Sequence, residues 1–279
     1  MFDSISRTFS LMRQSWRVLL QDRELILLPL MAGVTLIVAI GGFAGIAATT
    51  GSLDRLQAVT GGAGASEATP VDIGLSLALL FITYFITMFF NAALIAAALE
   101  RLRGRDARIG DGLRRASAHL PAIVGWSLIA ATVGLILSIL RDRADNLLGK
   151  LVLSLIGGAW AYVTFFVVPV LIIEGLGPIA AIKRSSAMLR QTWGQQAVSS
   201  FGFFLVYVVA ALIAFVPAAL IFAIAPILGI VVGVFLVSIA MGTVQALEGI
   251  FKAALYEFAV GETPQGFDTS TLRGAYRAL

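Results

Sequence analysis

The chain has no cysteine, one histidine, and a charged fraction of 13%, against about 25% in an ordinary soluble domain. The first absence excludes disulfides, thiolate nucleophiles and cysteine-ligated metals. His119, next to Pro121, cannot make a standard zinc site alone, and no Ser-His-acid constellation is apparent. Gly61-Gly62-Ala63-Gly64-Ala65-Ser66 is not followed by Gly-Lys-Ser/Thr, so it is not a phosphate-binding loop. No cofactor or metal is expected.

Charge is missing in long blocks. No charged side chain occurs from Gln191 to Leu247, nor in Leu25–Ala48, Ile73–Leu99, Leu120–Leu140 or Leu151–Ile173. A bilayer core of roughly 30 Å needs about 20 apolar residues per helix. The first four blocks are each one span long and the last holds two. The expected fold is an all-α integral membrane protein. Its six transmembrane helices form three hairpins, with amphipathic interfacial helices on the cytoplasmic side. The expected segments are 1–24 (N-terminal interfacial helix), 25–250 (membrane domain) and 251–279 (cytoplasmic tail). Spans are expected near 25–48, 73–99, 120–140, 151–173, 199–224 and 227–250. Hydrophobic residues make up 59% of the chain, and no room remains for a separate soluble domain.

A pI of 9.8 could suggest nucleic acid, but topology explains it better. With the N-terminus inside, 16 of the 20 basic residues fall in inner segments. Only Arg55, Arg141, Arg143 and Lys150 are outside. Positive charge collects on the cytoplasmic side, so both termini are expected there, in a bacterial inner membrane, with no nucleic-acid partner. Leu25–Ala48 is too long for a signal-peptide core and reads as a retained span. Ahead of it, Phe2, Ile5, Phe9, Met12, Trp16 and Leu19 recur at helical spacing. They predict a one-faced helix in the headgroup plane. The stretch Thr49–Asp72 reads as a flexible outer loop.

An internal repeat is also legible. Glu100, Glu174 and Glu248 are evenly spaced, and each follows an aliphatic pair at the inner end of an even-numbered span. Arg13-Gln14-Ser15-Trp16 matches Arg190-Gln191-Thr192-Trp193. Leu113-Arg114-Arg115-Ala116-Ser117 matches Ile182-Lys183-Arg184-Ser185-Ser186. Three parallel units are therefore expected, each an inner helix followed by a hairpin.

Two motif groups carry a resemblance. Ser15-Trp16-Arg17-Val18-Leu19 with Asp22-Arg23-Glu24-Leu25 and Leu28-Pro29-Leu30, Gly177-Pro178 with Ala181-Ile182-Lys183-Arg184-Ser185, and Gly261-Glu262-Thr263-Pro264 with Gly266-Phe267-Asp268 together resemble a bacterial family of six-span membrane proteins of unknown function. The Lys-Arg-Ser element is also similar to membrane domains attached to glycerophosphodiester phosphodiesterases, whose catalysis resides in a separate soluble domain. The resemblance implies a fold and a location and no catalytic residue.

Three groups of candidate residues follow. Glu100, Glu174 and Glu248 are expected to form structural ion pairs with Arg7, Arg13, Arg114, Arg115, Lys183 or Arg184, since ionisable groups near a bilayer are usually paired. A carboxylate ring gating a cation path is the sharper reading. Thr83, Thr87 and Asn91 share a four-residue step and form a polar stripe in span 2, for interhelical hydrogen bonds or a solute path. Arg101, Arg103, Arg105 and Arg108, with Trp16 and Trp193, are candidate lipid-headgroup contacts. Gly41, Gly42, Gly45, Gly157, Gly158, Gly229 and Gly233 are expected to permit close helix approach. The functional expectation is a non-enzymatic accessory or scaffold subunit, or membrane organiser, whose partners are lipids and another membrane protein. The alternative is a transporter or lipid-handling channel for an uncharged or lipidic solute.

Overall fold

The computed structural model describes residues 2–55, 69–106, 108–144, 146–192 and 196–276, without side chains for 2–9, 190–205 and 273–276. The described residues are helical, with no strand among them. In order they are α1 (Phe2–Gln21), a 3-10 turn (Arg23–Ile26), α2 (Leu27–Thr49), α3 (Pro70–Leu102) and α4 (Ile109–Ala118). Then come α5 (Leu120–Asp142), α6 (Leu147–Val163), α7 (Val167–Ile173) and α8 (Pro178–Thr192). The chain ends with α9 (Gln196–Ile224), α10 (Pro226–Ala259) and α11 (Thr269–Tyr276). Six stretches are long and apolar enough to cross a membrane: Arg23–Thr49, Pro70–Leu102, Leu120–Asp142, Leu147–Ile173, Val206–Ile224 and Pro226–Ala259. The molecule is a multi-pass membrane protein.

Several spans overrun their expected ends, two of them for clear local reasons. α3 starts at Pro70 because Thr69 and Asp72 form a reciprocal capping box around a proline in the first turn. Arg55 holds the same carboxylate at 2.8 Å from the other side of the connector. The glycine-rich part of that connector lies outside the described residues. α10 does not stop near Ile250. It continues to Ala259 because Phe251, Ala253, Ala254, Leu255 and Tyr256 remain buried in the core, so the boundary expected at 250 falls inside a helix.

Packing is concentrated at one end of the bundle. α3 is the hub: it touches α2, α4, α5, α7 and α10. Ala92 to Leu99 of α3 are buried without a break, as are Leu25 and Leu28 at the start of the first span and Val170, Leu171 and Ile172 of α7. The other halves of the spans leave broad apolar flanks. Val38 is 69% exposed, Ile213 69% and Ile227 81%. Small residues are what let the hub work: Gly112 sits where a Cβ would meet the Ala93 carbonyl at 2.5 Å. At the α9–α10 turn a Cβ on Gly229 would overlap the Phe222 backbone, and Gly233 faces Ala218. The expectation of close approach is corrected at Gly41, Gly42, Gly45 and Gly158, where nothing lies within 4 Å, and Gly157 meets only Leu137 at 3.9 Å. Gly41, Gly42, Gly45 and Gly158 are exposed on the flanks, and Gly157 makes an ordinary contact with α5.

α1 buries Met12 and Leu19 of the face its periodicity suggested, but not Trp16. Leu11, Met12, Ser15, Val18 and Leu19 are buried, and Trp16 is exposed. The helix packs on α9, α10 and α11. A small serine at the contact allows that approach, and its hydroxyl is satisfied by the Leu11 carbonyl at 3.1 Å. The side chains of Phe2, Ile5 and Phe9 lie outside the described residues.

Candidate functional site

The charged end is held together by ion pairs between elements. Glu100 accepts from Arg105 and lies 3.4 Å from Arg115 of α4. Glu174 lies 3.1 Å from Arg184 of α8 and accepts from the hydroxyl of buried Tyr256 at 3.1 Å. Glu248 lies 2.7 Å from Lys252, one turn along its own helix, and accepts from Tyr207 at 3.1 Å. Among the described residues the basic partner of Glu248 is Lys252, on its own helix. Arg13 is exposed, as is Lys183, and Arg114 pairs with Asp111 at 2.8 Å. The Arg7 side chain and all of Trp193 lie outside the described residues.

Three of the four arginines expected at lipid headgroups are engaged by carboxylates of the chain. Arg103 donates twice to Glu257, at 2.6 and 3.1 Å. Glu257 is only 2% exposed, and its hydrogen bond raises the Arg103 guanidinium above its ordinary range. Arg101 donates to Gln21 at 2.7 Å and stands 2.9 Å from Asp22, misaligned for a hydrogen bond. Burial pushes the Asp22 carboxyl up despite that arginine. Arg105 holds Glu100. Arg108 is exposed at the start of α4, and Trp16 is 44% exposed.

Glu257 was missed from sequence because its partner is 154 residues away. The clearest local signal was its position, one helical turn or so past the last span-like residues. The C-terminal segment fastens the same region. Gln265 N–H donates to the Leu102 carbonyl at 2.8 Å, and Asp268 N–H donates to Gln14 Oε1 at 2.8 Å. Gly266 has φ of +83° and lies against Val18, a conformation and a spacing that other residues resist.

The fourth span is interrupted. Pro169 lacks an N–H and its ring crowds the carbonyl of residue 165, and the chain turns through Thr164–Phe166 between α6 and α7. The turn frees the Val163 carbonyl and the Phe166 N–H. Ser185 of α8, 0% exposed, satisfies both: its hydroxyl donates to Val163 O at 2.7 Å and accepts from Phe166 N–H at 3.1 Å. Broken backbone at membrane depth persists only when so satisfied. The Lys183-Arg184-Ser185 element thus supplies one ion pair and one backbone staple. Pro169 was the available signal for the break.

In span 2, Thr83 and Thr87 return their hydroxyls to the backbone, at 2.7 and 2.8 Å, and bond to no other helix. Asn91 is separate. It lines a cavity of about 700 Å³ with Trp126 of α5, Leu155 and Gly158 of α6, Phe165 at the break, and Glu248 and Lys252 of α10. Most of the wall is apolar. Leu155 and Gly158 are exposed on the flank of α6, so the cavity opens toward the side of the bundle. Trp126 is 4% exposed, stacks on Trp160 with centroids 6.0 Å apart, and its Nε1 is buried with no hydrogen-bond partner. Glu100, Asp111, Arg114 and Arg115 border a second, more polar groove of about 530 Å³. Among the described residues no group of three or more His, Cys, Asp or Glu is placed to hold a metal.

Residues 71–267 match the model of a family described as "Family of unknown function (DUF6159)", and the chain belongs to that family. No comparison supports the similarity to membrane domains attached to glycerophosphodiester phosphodiesterases. Neither the curated proteins nor the solved structures contain a match.

Proposed function

We propose, for this member of a family of unknown function, a non-enzymatic role as an accessory or organising subunit of a bacterial inner membrane, exerted through contacts with lipids and with another membrane protein. The proposal includes both termini on the cytoplasmic side, which the 16-of-20 distribution of basic residues supports. It also includes three parallel hairpins fastened by inner helices α1, α4 and α8 lying at the interface. The evenly spaced glutamates and the amphipathic sequences of these helices favour that arrangement.

The observation that carries the role is the division of the molecule. The charged end spends its ionic groups on its own helices, through Arg103–Glu257, Arg184–Glu174 and Arg115–Glu100. The far halves of α2, α9 and α10 remain apolar and uncovered by the chain. This is a rigid base presenting membrane-exposed helical faces. Extraction in mild detergent at native expression, with cross-linking before solubilisation, tests it. A stoichiometric membrane-protein partner cross-linked through these faces is the expected result. Recovery of a solitary chain with lipid alone would reject the accessory role.

The cavity favours one second reading, lipid handling. A pocket opening sideways beside a broken span is a plausible binding place for an apolar or amphiphilic molecule. The cysteine-free sequence suits accessibility labelling. Cysteines at 83, 87 and 91 report whether a wet path runs along span 2, and labelling confined to position 91 would place access at the cavity alone.

A further inference from the structure

We infer that the cavity between α3, α5, α6 and α10 is a binding site for a single-chain amphiphile that carries an oxyanion head, entering from the bilayer past Leu155 and Gly158. The inference deepens the lipid-handling reading and rests on it for the route of entry. The volume, about 700 Å³, falls in the range of about 300–1,000 Å³ usual for small-ligand sites. Its shape of chemistry is amphipathic: a long apolar wall with polar groups gathered toward the charged end.

The polar groups indicate what the head must offer. Both oxygens of Glu248 are already engaged, Oε1 by Lys252 and Oε2 by Tyr207. What remains unspent is donor capacity. Lys252 carries three N–H groups and gives one contact to Glu248. Its ammonium also sits 5.5 Å from the centre of the Phe165 ring. The Trp126 ring lines the same cavity, its Nε1–H buried beneath the wall with no acceptor among the described residues, and the Asn91 amide, half-buried on the wall, makes no hydrogen bond with the described residues. Buried donors in native proteins are paired. The unspent donors of Lys252 and Asn91, on residues that line one cavity, call for a ligand rich in acceptors. A carboxylate or phosphate ester fits, and a quaternary ammonium or a plain alkane does not. The tail then lies along Leu155 and Gly158, where absence of a side chain leaves the mouth open.

A fatty carboxylate and a lysophospholipid share this chemistry, and one experiment separates them. Trp126 is made the sole tryptophan by W16F, W160F and W193F, and the protein is held in maltoside micelles. Brominated stearate and brominated lysophosphatidylglycerol are titrated in as quenchers. The expected result is saturable quenching of Trp126 by one probe or both, the stronger probe naming the source. Gly158→Leu, whose Cβ would meet no atom within 4 Å and whose side chain would crowd the mouth, and Asn91→Leu are each expected to weaken binding about tenfold, or about 1.4 kcal/mol. Lys252→Met has the same expected effect, with the two other variants covering any loss of folding. Quenching that merely tracks the probe-to-detergent ratio, equally in Gly158→Leu, overturns the site. A parallel assay follows labelled probe moving between leaflets of proteoliposomes. Saturable quenching without movement keeps the site and rejects lipid handling. Movement without saturable quenching keeps lipid handling and rejects this site.

Discussion

Replacing Ser185 by alanine removes one hydroxyl and two buried hydrogen bonds to the backbone. Ser185 Oγ donates to Val163 O and accepts from Phe166 N–H, while Phe165 N–H and Val167 N–H bond Tyr162 O and Thr164 O. An unsatisfied buried donor or acceptor costs about 1–3 kcal/mol, so Ser185→Ala is expected to lose about 2–4 kcal/mol, once partial relaxation of the turn is allowed. Ser186, one residue on, bonds the Lys183 carbonyl within its own helix at 2.8 Å, and Ser186→Ala should stay within about 0.5 kcal/mol of the parent. The assay is SDS-induced unfolding in mixed micelles, followed by circular dichroism. The cause assigned to the break supplies a second, sharper requirement. Pro169→Ala restores the N–H and lets the helix wind through 163–167, giving Val163 O and Phe166 N–H intrahelical partners. In that background Ser185→Ala should cost less than about 1 kcal/mol. Equal costs in the two backgrounds, or a Ser185→Ala loss no larger than that of Ser186→Ala, would refute the staple.

Four further outcomes are expected. Arg103→Leu leaves Glu257 charged and buried, and should cost about 3 kcal/mol, while the double variant Arg103→Leu/Glu257→Leu costs clearly less; SDS unfolding of the three variants checks the order. Glu174→Gln keeps an acceptor for Tyr256 and should cost under about 1 kcal/mol, whereas Glu174→Leu strands that hydroxyl and costs about 1–3 kcal/mol; equal midpoints would dismiss the tyrosine bond. Gly229→Ala forces α9 from α10 and should lower the thermal midpoint in detergent, while Gly158→Ala leaves it unchanged, because the first Cβ overlaps backbone and the second meets open space. Hydrogen bonds from Ser270 hold the Asp268 carboxyl below its ordinary range. Its stabilisation is therefore present above the unfolded value of about 4 and is lost as pH falls through the lower folded value. Hydrogen exchange at residues 265–272 should accelerate only in that acid window, and a flat profile between neutral and acid pH would count against the linkage.

The spans were legible because charge is absent from a bilayer core for one dominant reason, its desolvation cost. Their ends were less so. Lys252 and Glu257 look from sequence like the first residues of a polar tail, yet Lys252 pairs with Glu248 and Glu257 with Arg103. Pairing removes the cost that would have ended the span, and α10 runs on to Ala259. Sequence periodicity could place Met12 and Leu19 on one face of α1. It could not show that Ser15 and Val18 share the packed face while Trp16 stays outside, since that depends on which neighbour the helix meets. The arginine cluster of 101–108 carried the same ambiguity: positive charge near a membrane end reads alike whether it faces a phosphate or a carboxylate. The cavity was the least legible feature, because its lining comes from five separate helices and the turn at Thr164–Phe165, and of these residues Asn91 was the one singled out as polar inside span 2.

The interrupted span links the two halves of this description. A continuous fourth helix would spend every backbone group on itself and offer α8 only a side-chain surface. Pro169 prevents that, and the freed carbonyl and amide give Ser185 a pair of bonds that no apolar contact could supply with the same direction. Arg184, the residue before, reaches Glu174 at the other end of α7, so α8 is tied to both sides of the short helix. The same turn places Thr164 and Phe165 on the cavity wall, next to Lys252 and Glu248. The Lys183-Arg184-Ser185 element therefore acts on the cavity at one remove. It fixes the turn that forms part of the wall, which gives a physical reason for a polar triplet beside a membrane span to be kept even though none of its side chains lines the cavity.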